Sequence, residues 1–140
     1  MKCKEYECLV QPKYIEFFSD KSRDDSEYMY SDGIHLPHYL GVAYEFICEV
    51  SSSTLTVDFD DLYNNVFKDH PKWLYVDSLE KLSDEFIHGL TATQVVTMFA
   101  AIRHKELFCT GFIKHCIKSG IIIRLLKQLK SELERCDSKS

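Results

Sequence analysis

Apolar side chains recur at helical spacing along almost the whole chain, and this periodicity constrains the fold more than any other feature. It is cleanest at Phe59, Leu62, Tyr63, Val66 and Phe67, which stand at i, i+3, i+4, i+7 and i+8. That spacing builds one apolar stripe on a helix, and Asp60, Asp61, Asn64, Asn65 and Lys68 fall on the opposite, solvated side. Pro and Gly number three and five in 140 residues, too few for the tight turns of a sandwich or barrel. The chain is expected to be an all-α helical bundle of about six or seven helices. At this length one core is favoured over two, so residues 1–140 form a single domain.

Local signals divide the chain. Pro12 opens a first helix reaching Phe18, anchored by Tyr14, Ile15, Phe17 and Phe18; residues 1–11 ahead of it are expected to fray. Residues 19–33 are polar and acidic and read as a loop, with Ser31-Asp32-Gly33 as a turn and Tyr28, Met29 and Tyr30 pinning it to the body. Pro37 opens a second helix to about Val50, with Tyr39, Val42, Ala43, Phe46, Ile47 and Val50 on one face and Ser51-Ser52-Ser53 as its end. Leu55-Thr56-Val57 reads as a short extended piece. Asp58 caps the helix at 59–67, and Pro71 marks its far end.

Asp77 and Glu80 begin a fourth helix that carries Leu79, Leu82, Phe86 and Ile87 and stops at Gly89. Thr91 and Gln94 form a capping box for a fifth, with Val95, Met98, Phe99 and Ile102 facing inward. A sixth helix runs from about Cys109 to Ser119 and stops at Gly120. The seventh runs from Ile121 to about Cys136, ahead of a frayed 137–140. Its Ile122, Leu126, Leu129, Leu133 and Cys136 stand at steps of four and three. Packing on the chain's own core accounts for that spacing first; a homodimer seam through Ile122, Leu126, Leu129 and Leu133 is the alternative.

Charge is unevenly spread. The net charge is −5, yet residues 1–100 carry eight basic and eighteen acidic residues, whereas residues 101–131 carry seven basic residues and one acidic. An acidic body with a basic C-terminal third suits steered association with another macromolecule. Lys114, Lys118, Arg124, Lys127 and Lys130 form the candidate interaction face. Neither a secretory leader nor an apolar run of membrane-spanning length is evident, which points to a cytoplasmic chain with no membrane partner. Its six cysteines, Cys3, Cys8, Cys48, Cys109, Cys116 and Cys136, then read as reduced and mostly buried small apolar residues.

The patterns that carry chemistry are weak. His104, Cys109, His115 and Cys116 are close in sequence, but structural zinc is usually held by two closely spaced pairs. Cys109 and Cys116 instead lie seven apart on one helix face. His35 and His38 at a helix entrance are weaker still. Cys109, near a helix N-terminus and five residues after His104, is the best thiol nucleophile on offer, and a small residue at a helix junction explains it as well. Asp58, Asp60 and Asp61, Glu45 and Glu49, and Asp84 and Glu85 fall on solvated faces or at helix starts, where acids complement the helix dipole. There is no phosphate-binding glycine loop, nucleophile elbow or H-E-x-x-H. No catalytic residue, metal ligand or cofactor site is assigned on sequence.

His104 to Leu129 resembles the C-terminal signature of an uncharacterised bacterial family of small proteins, a domain of unknown function. The matching residues are Glu106, Phe108, Gly111, Gly120, Ile121-Ile122-Ile123-Arg124-Leu125-Leu126 and Leu129. Upstream, Val57-Asp58-Phe59-Asp60 corresponds to the family's aromatic-acid segment, and Leu90 to Arg103 to its preceding helix. Leu107 stands where that pattern has a basic residue. The resemblance covers somewhat over half of the chain and leaves out residues 1–30. It implies a helical fold, with Phe108 as a core plug, Gly111 as a close helix contact and Gly120 as a C-cap, and carries no activity to transfer. The expected function is a non-enzymatic cytosolic protein-binding or regulatory role, of inhibitor or adaptor type. Nucleic-acid binding through the basic C-terminal helices stands second, and an enzyme with a spatially assembled site third.

Overall fold

The computed structural model describes residues 2–20, 22–30, 38–53, 83–106 and 111–138. The helix expected at 59–67, its Asp58 cap, the piece at 55–57, Pro71 and Cys109 lie outside them. The described residues form an all-α domain: a 3-10 helix Lys2–Val10, then α1 Pro12–Ser19, α2 Gly41–Ser53, α3 Asp84–His88, α4 Ala92–Glu106, α5 Phe112–Ser119 and α6 Ile121–Ser138. Two strands of two residues each, β1 Met29–Tyr30 and β2 His38–Tyr39, pair antiparallel with Met29 opposite Tyr39 and Tyr30 opposite His38.

Lys2–Val10 forms a 3-10 helix. Side chains three apart eclipse in a 3-10 helix, so Tyr6 and Leu9 share a face, and both are buried where this segment packs along α6 and α2. Pro12 starts α1 as its sequence implies, and Tyr14, Phe17 and Phe18 are buried. Within the segment expected as a loop, residues 22–30 carry structure of their own. Arg23 lies over the Phe17 ring at 4.4 Å and its Nε donates to the Phe17 carbonyl. Tyr28 is fully buried, and its carbonyl accepts from Leu40 N at 2.7 Å.

The strand pair also corrects the second helix. His38 and Tyr39 are extended against Met29 and Tyr30, so α2 starts at Gly41 rather than at Pro37. At its other end the three serines lie inside the last turn, and Ser51 Oγ donates to Ile47 O at 3.0 Å, a back-bond that lets serine stay helical. The fourth helix is corrected at Ser83. Its backbone is extended (ψ 155°) and its hydroxyl accepts from Phe86 N. An N-cap lies outside helical geometry by definition, so no continuous helix runs from Asp77 to Gly89.

The capping box holds. Thr91 N donates to Gln94 Oε1 at 2.9 Å, and Gln94 N donates to Thr91 Oγ1 at 3.2 Å. Thr91→Ala is expected to lower stability by about 1 kcal/mol, measured as a lower urea midpoint at unchanged slope; an unchanged midpoint would show that the box is redundant. Beyond it α4 is apolar almost all round. Val95, Val96, Met98, Phe99 and Ile102 are buried, and the buried Thr97 hydroxyl is satisfied by donating to Thr93 O at 2.7 Å.

α5 ends at Gly120, whose φ of 86° lies in the left-handed region and whose N–H returns to Cys116 O and Ile117 O. This glycine stop turns the chain directly into α6, the element on which the 3-10 helix, α1, α3, α4 and α5 all pack. Ile122, Leu126, Leu129 and Leu133 are 3%, 0%, 0% and 4% exposed. They are spent on the chain's own core, so the homodimer seam drawn from their spacing is not available. α2 joins the core through Phe46, whose ring meets Tyr14, Phe18 and Phe99 edge-on at 5.3, 5.1 and 5.3 Å. Among the described residues no helix is long and apolar enough to cross a membrane.

Candidate functional site

Gln128 is the misfit on the buried side of α6. It lies between Leu125 and Leu129 and is 6% exposed, and a buried amide needs acceptors. Its Nε2 donates to His88 O at 3.0 Å and to Leu90 O at 2.8 Å, which pins the C-terminal end of α3 to α6. At the other end of α3, Asp84 Oδ1 accepts from Arg124 Nε at 3.2 Å and Arg124 Nη2 at 2.8 Å. An acid in a helix's first turn complements the dipole, and Asp84 does this while holding the arginine.

These two pins bound a surface groove of about 440 Å3 between α3 and α6. Asp84, Arg124, Lys127, Glu132 and Arg135 supply charge to its walls, and Ile87, His88, Gln128 and Ser131 complete the lining. Arg135 Nη1 lies 2.7 Å from Glu132 Oε2. Each carboxylate of the groove is thus held by an arginine, an arrangement suited to fixing charges in place rather than to moving protons.

The five basic residues singled out in the sequence do not share one environment. Lys118, Lys127 and Lys130 are exposed, whereas Lys114 and Arg124 are half-buried. Arg124 is committed to Asp84, and only Arg124 and Lys127 of the five line the groove. On α6 each step of three residues turns the direction by about 60°, so Arg124, Lys127 and Lys130 wind around the helix. His88 and Gln128, which complete the site, were missed in the sequence, and Asp84 was read there only as an acid at a helix start. A lone glutamine on an otherwise aliphatic helix face was the signal for Gln128.

A second polar constellation joins α4, α5 and β2. Glu106 closes α4 with its carboxylate against the start of α5. Oε2 accepts from Gly111 N at 2.7 Å, and Oε1 accepts from Ile113 N at 2.9 Å and from Tyr39 OH at 2.6 Å. The Tyr39 oxygen in turn accepts from Lys114 N at 3.1 Å. Three N–H groups at the α5 start, which have no intrahelical partner, are satisfied by one carboxylate and one phenol. Burial first, and then the Glu106 carboxylate, push the Tyr39 phenol above its ordinary value. Gly111 is not the close helix contact expected of it: a Cβ there would meet nothing within 4 Å, but its φ is 88°, and that left-handed geometry is what favours glycine.

The remaining candidates are dispersed. Cys116 is buried and His115 half-buried, its ring stacked on Phe112 at 6.5 Å. Cys109 and the His104 side chain lie outside the described residues, as do His35 and the carboxylates of Asp58, Asp60 and Asp61. Among the described residues no three His, Cys, Asp or Glu side chains gather as metal ligands. Cys48 is exposed, against the expectation of buried thiols, because α2 presents it on its outer face. Glu45, also outward, pairs with Lys13 at 3.4 Å.

A family model described as a family of unknown function, DUF6508, matches residues 31–135. The chain belongs to this family. The match takes in α2 to α6 and both constellations, and leaves the 3-10 helix and α1 outside it. No curated protein and no solved structure matches the chain.

Proposed function

We propose that this chain is a non-enzymatic, cytosolic protein-binding module of regulatory type, which docks an acidic segment of a partner along the groove between α3 and α6. The groove carries the proposal. It is open, four of its five charges are held in the Arg124–Asp84 and Arg135–Glu132 pairs, and arginine and lysine outnumber aspartate and glutamate on its walls. Lys127 on its wall and Lys130 farther along α6 are exposed to a partner, and the strongly acidic N-terminal two-thirds would repel a competitor of like charge elsewhere.

The test is recovery of partners on tagged protein from the source cells, with and without nuclease, for the wild type and for Lys127→Glu with Lys130→Glu. The proposal expects a protein bound near stoichiometrically, indifferent to nuclease, and reduced about tenfold or more by the double charge reversal. Nucleic acid recovered in place of protein, with binding that collapses as salt rises, would overturn it in favour of a nucleic-acid role for the same cations. Equal recovery by wild type and double variant would move the interface off this groove.

A further inference from the structure

The two arginine–carboxylate pairs of the groove differ in how readily they exchange. Glu132 and Arg135 stand three apart on α6, and the Glu132 side chain is 14% exposed. Breaking that pair would strand a carboxylate largely removed from water. Asp84 reaches Arg124 from a different helix, and its side chain is 78% exposed. Water can replace the arginine there at little cost, and a pair this open contributes little.

The geometry of the Asp84 pair sharpens the contrast. Arg124 Nε and Nη2 both donate to one oxygen, Asp84 Oδ1, at 3.2 and 2.8 Å. A carboxylate that met this edge squarely would give one oxygen to each N–H, the two-bond arrangement that makes arginine–carboxylate recognition strong. Nor does α3 depend on the pair for its place. Ile87 is 2% exposed, and Ser83 caps the helix through Phe86 N. Gln128 holds the far end through the His88 and Leu90 carbonyls. Asp84 can let go of Arg124 while α3 stays docked.

We infer that Asp84 is an internal competitor for the groove, occupying the Nε–Nη2 edge of Arg124 until a carboxylate of the partner displaces it and takes both donors. The inference rests on the reading of the groove as the dock for an acidic segment. It adds the residue that recognises the segment and the residue that holds it off. Arg124 and Arg135 are separated by about 16 Å along α6, the span of about five residues of extended chain. Lys127 lies between them on the same wall. The segment that fits is a short extended run of Asp or Glu, with one carboxylate on Arg124 and a second on Lys127.

The probe is fluorescein-labelled hexaglutamate, titrated against the full chain and read by anisotropy at low ionic strength. Lys127→Glu should weaken binding about tenfold, which tests the groove itself. Asp84→Asn should tighten binding about threefold. Glu85→Gln removes the same charge from the next residue of α3, outside the groove, and should tighten it much less. Arg124→Gln should weaken binding and cancel the gain, so that adding Asp84→Asn to Arg124→Gln leaves the affinity unchanged. Arg124→Met carries the same cycle if the glutamine variant does not fold. An Asp84→Asn gain no larger than that of Glu85→Gln, or one that persists without Arg124, would overturn the inference and leave the groove reading standing. Binding indifferent to Lys127→Glu, or no saturable binding at all, would overturn both.

Discussion

Replacing Glu106 by alanine should lower stability by about 3 kcal/mol, as much as the loss of a large core side chain. The carboxylate is the common acceptor for Tyr39 OH, Gly111 N and Ile113 N. Its removal strands two backbone donors at the start of α5 and a half-buried phenol. Each such bond to a charged acceptor is worth about 1.5–3 kcal/mol, and because the three share one group their values do not add. Glu106→Gln should cost about half as much, since the amide oxygen can replace one acceptor while its NH2 opposes a backbone donor. Urea denaturation gives the magnitude, and amide exchange at Gly111 and Ile113 gives the location. A loss below about 0.5 kcal/mol with both amides still protected would show that α5 is held without this cap.

The same network sets a limit at alkaline pH. The Tyr39 phenol is raised above its ordinary 10.0 by burial and by Glu106. A group raised in the folded state contributes stability that is complete below the unfolded pKa and is lost as pH rises through the folded one. The wild type should therefore lose stability above about pH 10, and Tyr39→Phe, already weaker at neutral pH, should lose less over that range. Parallel alkaline profiles for the two proteins would remove Tyr39 from the account.

Phe46→Ala should cost about 3–5 kcal/mol and lower the melting temperature on the order of 10 °C. Phe46 is 4% exposed and is the ring through which α2 meets α1 and α4. Truncation would open a void beside an apolar cavity that Phe46 already lines, so the surroundings have little to collapse onto. Phe46→Leu keeps most of the volume and should stay within about 1.5 kcal/mol. Thermal unfolding by circular dichroism separates the two, and equal losses would mean that the edge-on ring contacts outweigh volume at this position.

What the sequence makes legible follows from the range of each interaction. Thr91 and Gln94 announce the start of α4 because a capping box is closed within three residues. Gly120 announces the end of α5 because a left-handed residue is a local need. The inward faces of α4 and α6 follow from spacing alone, at Val95, Met98, Phe99 and Ile102 and at Ile122, Leu126, Leu129 and Leu133. The β1–β2 pair has two residues a side, too short for alternation to register, so the start of α2 was misplaced. Glu106 and Tyr39 are 67 positions apart, and Arg124 and Asp84 are 40 apart. Neither pairing leaves a local trace, and both constellations therefore emerge only from the fold.

The placement of α6 bears on how the protein comes to be made. Lys2–Val10 and α1 both close on a helix that begins at Ile121, so these earlier elements wait for a much later one. At about 5–20 residues per second, on the order of ten seconds separates the emergence of Leu9 from that of Leu129. Over that interval Leu9, Tyr14, Phe17 and Phe18 lack the share of their cover that α6 supplies in the finished domain. A ribosome-bound chain halted before Ile121 is thus a natural client for an apolar-binding chaperone, and commitment to the native core waits until α6 has emerged.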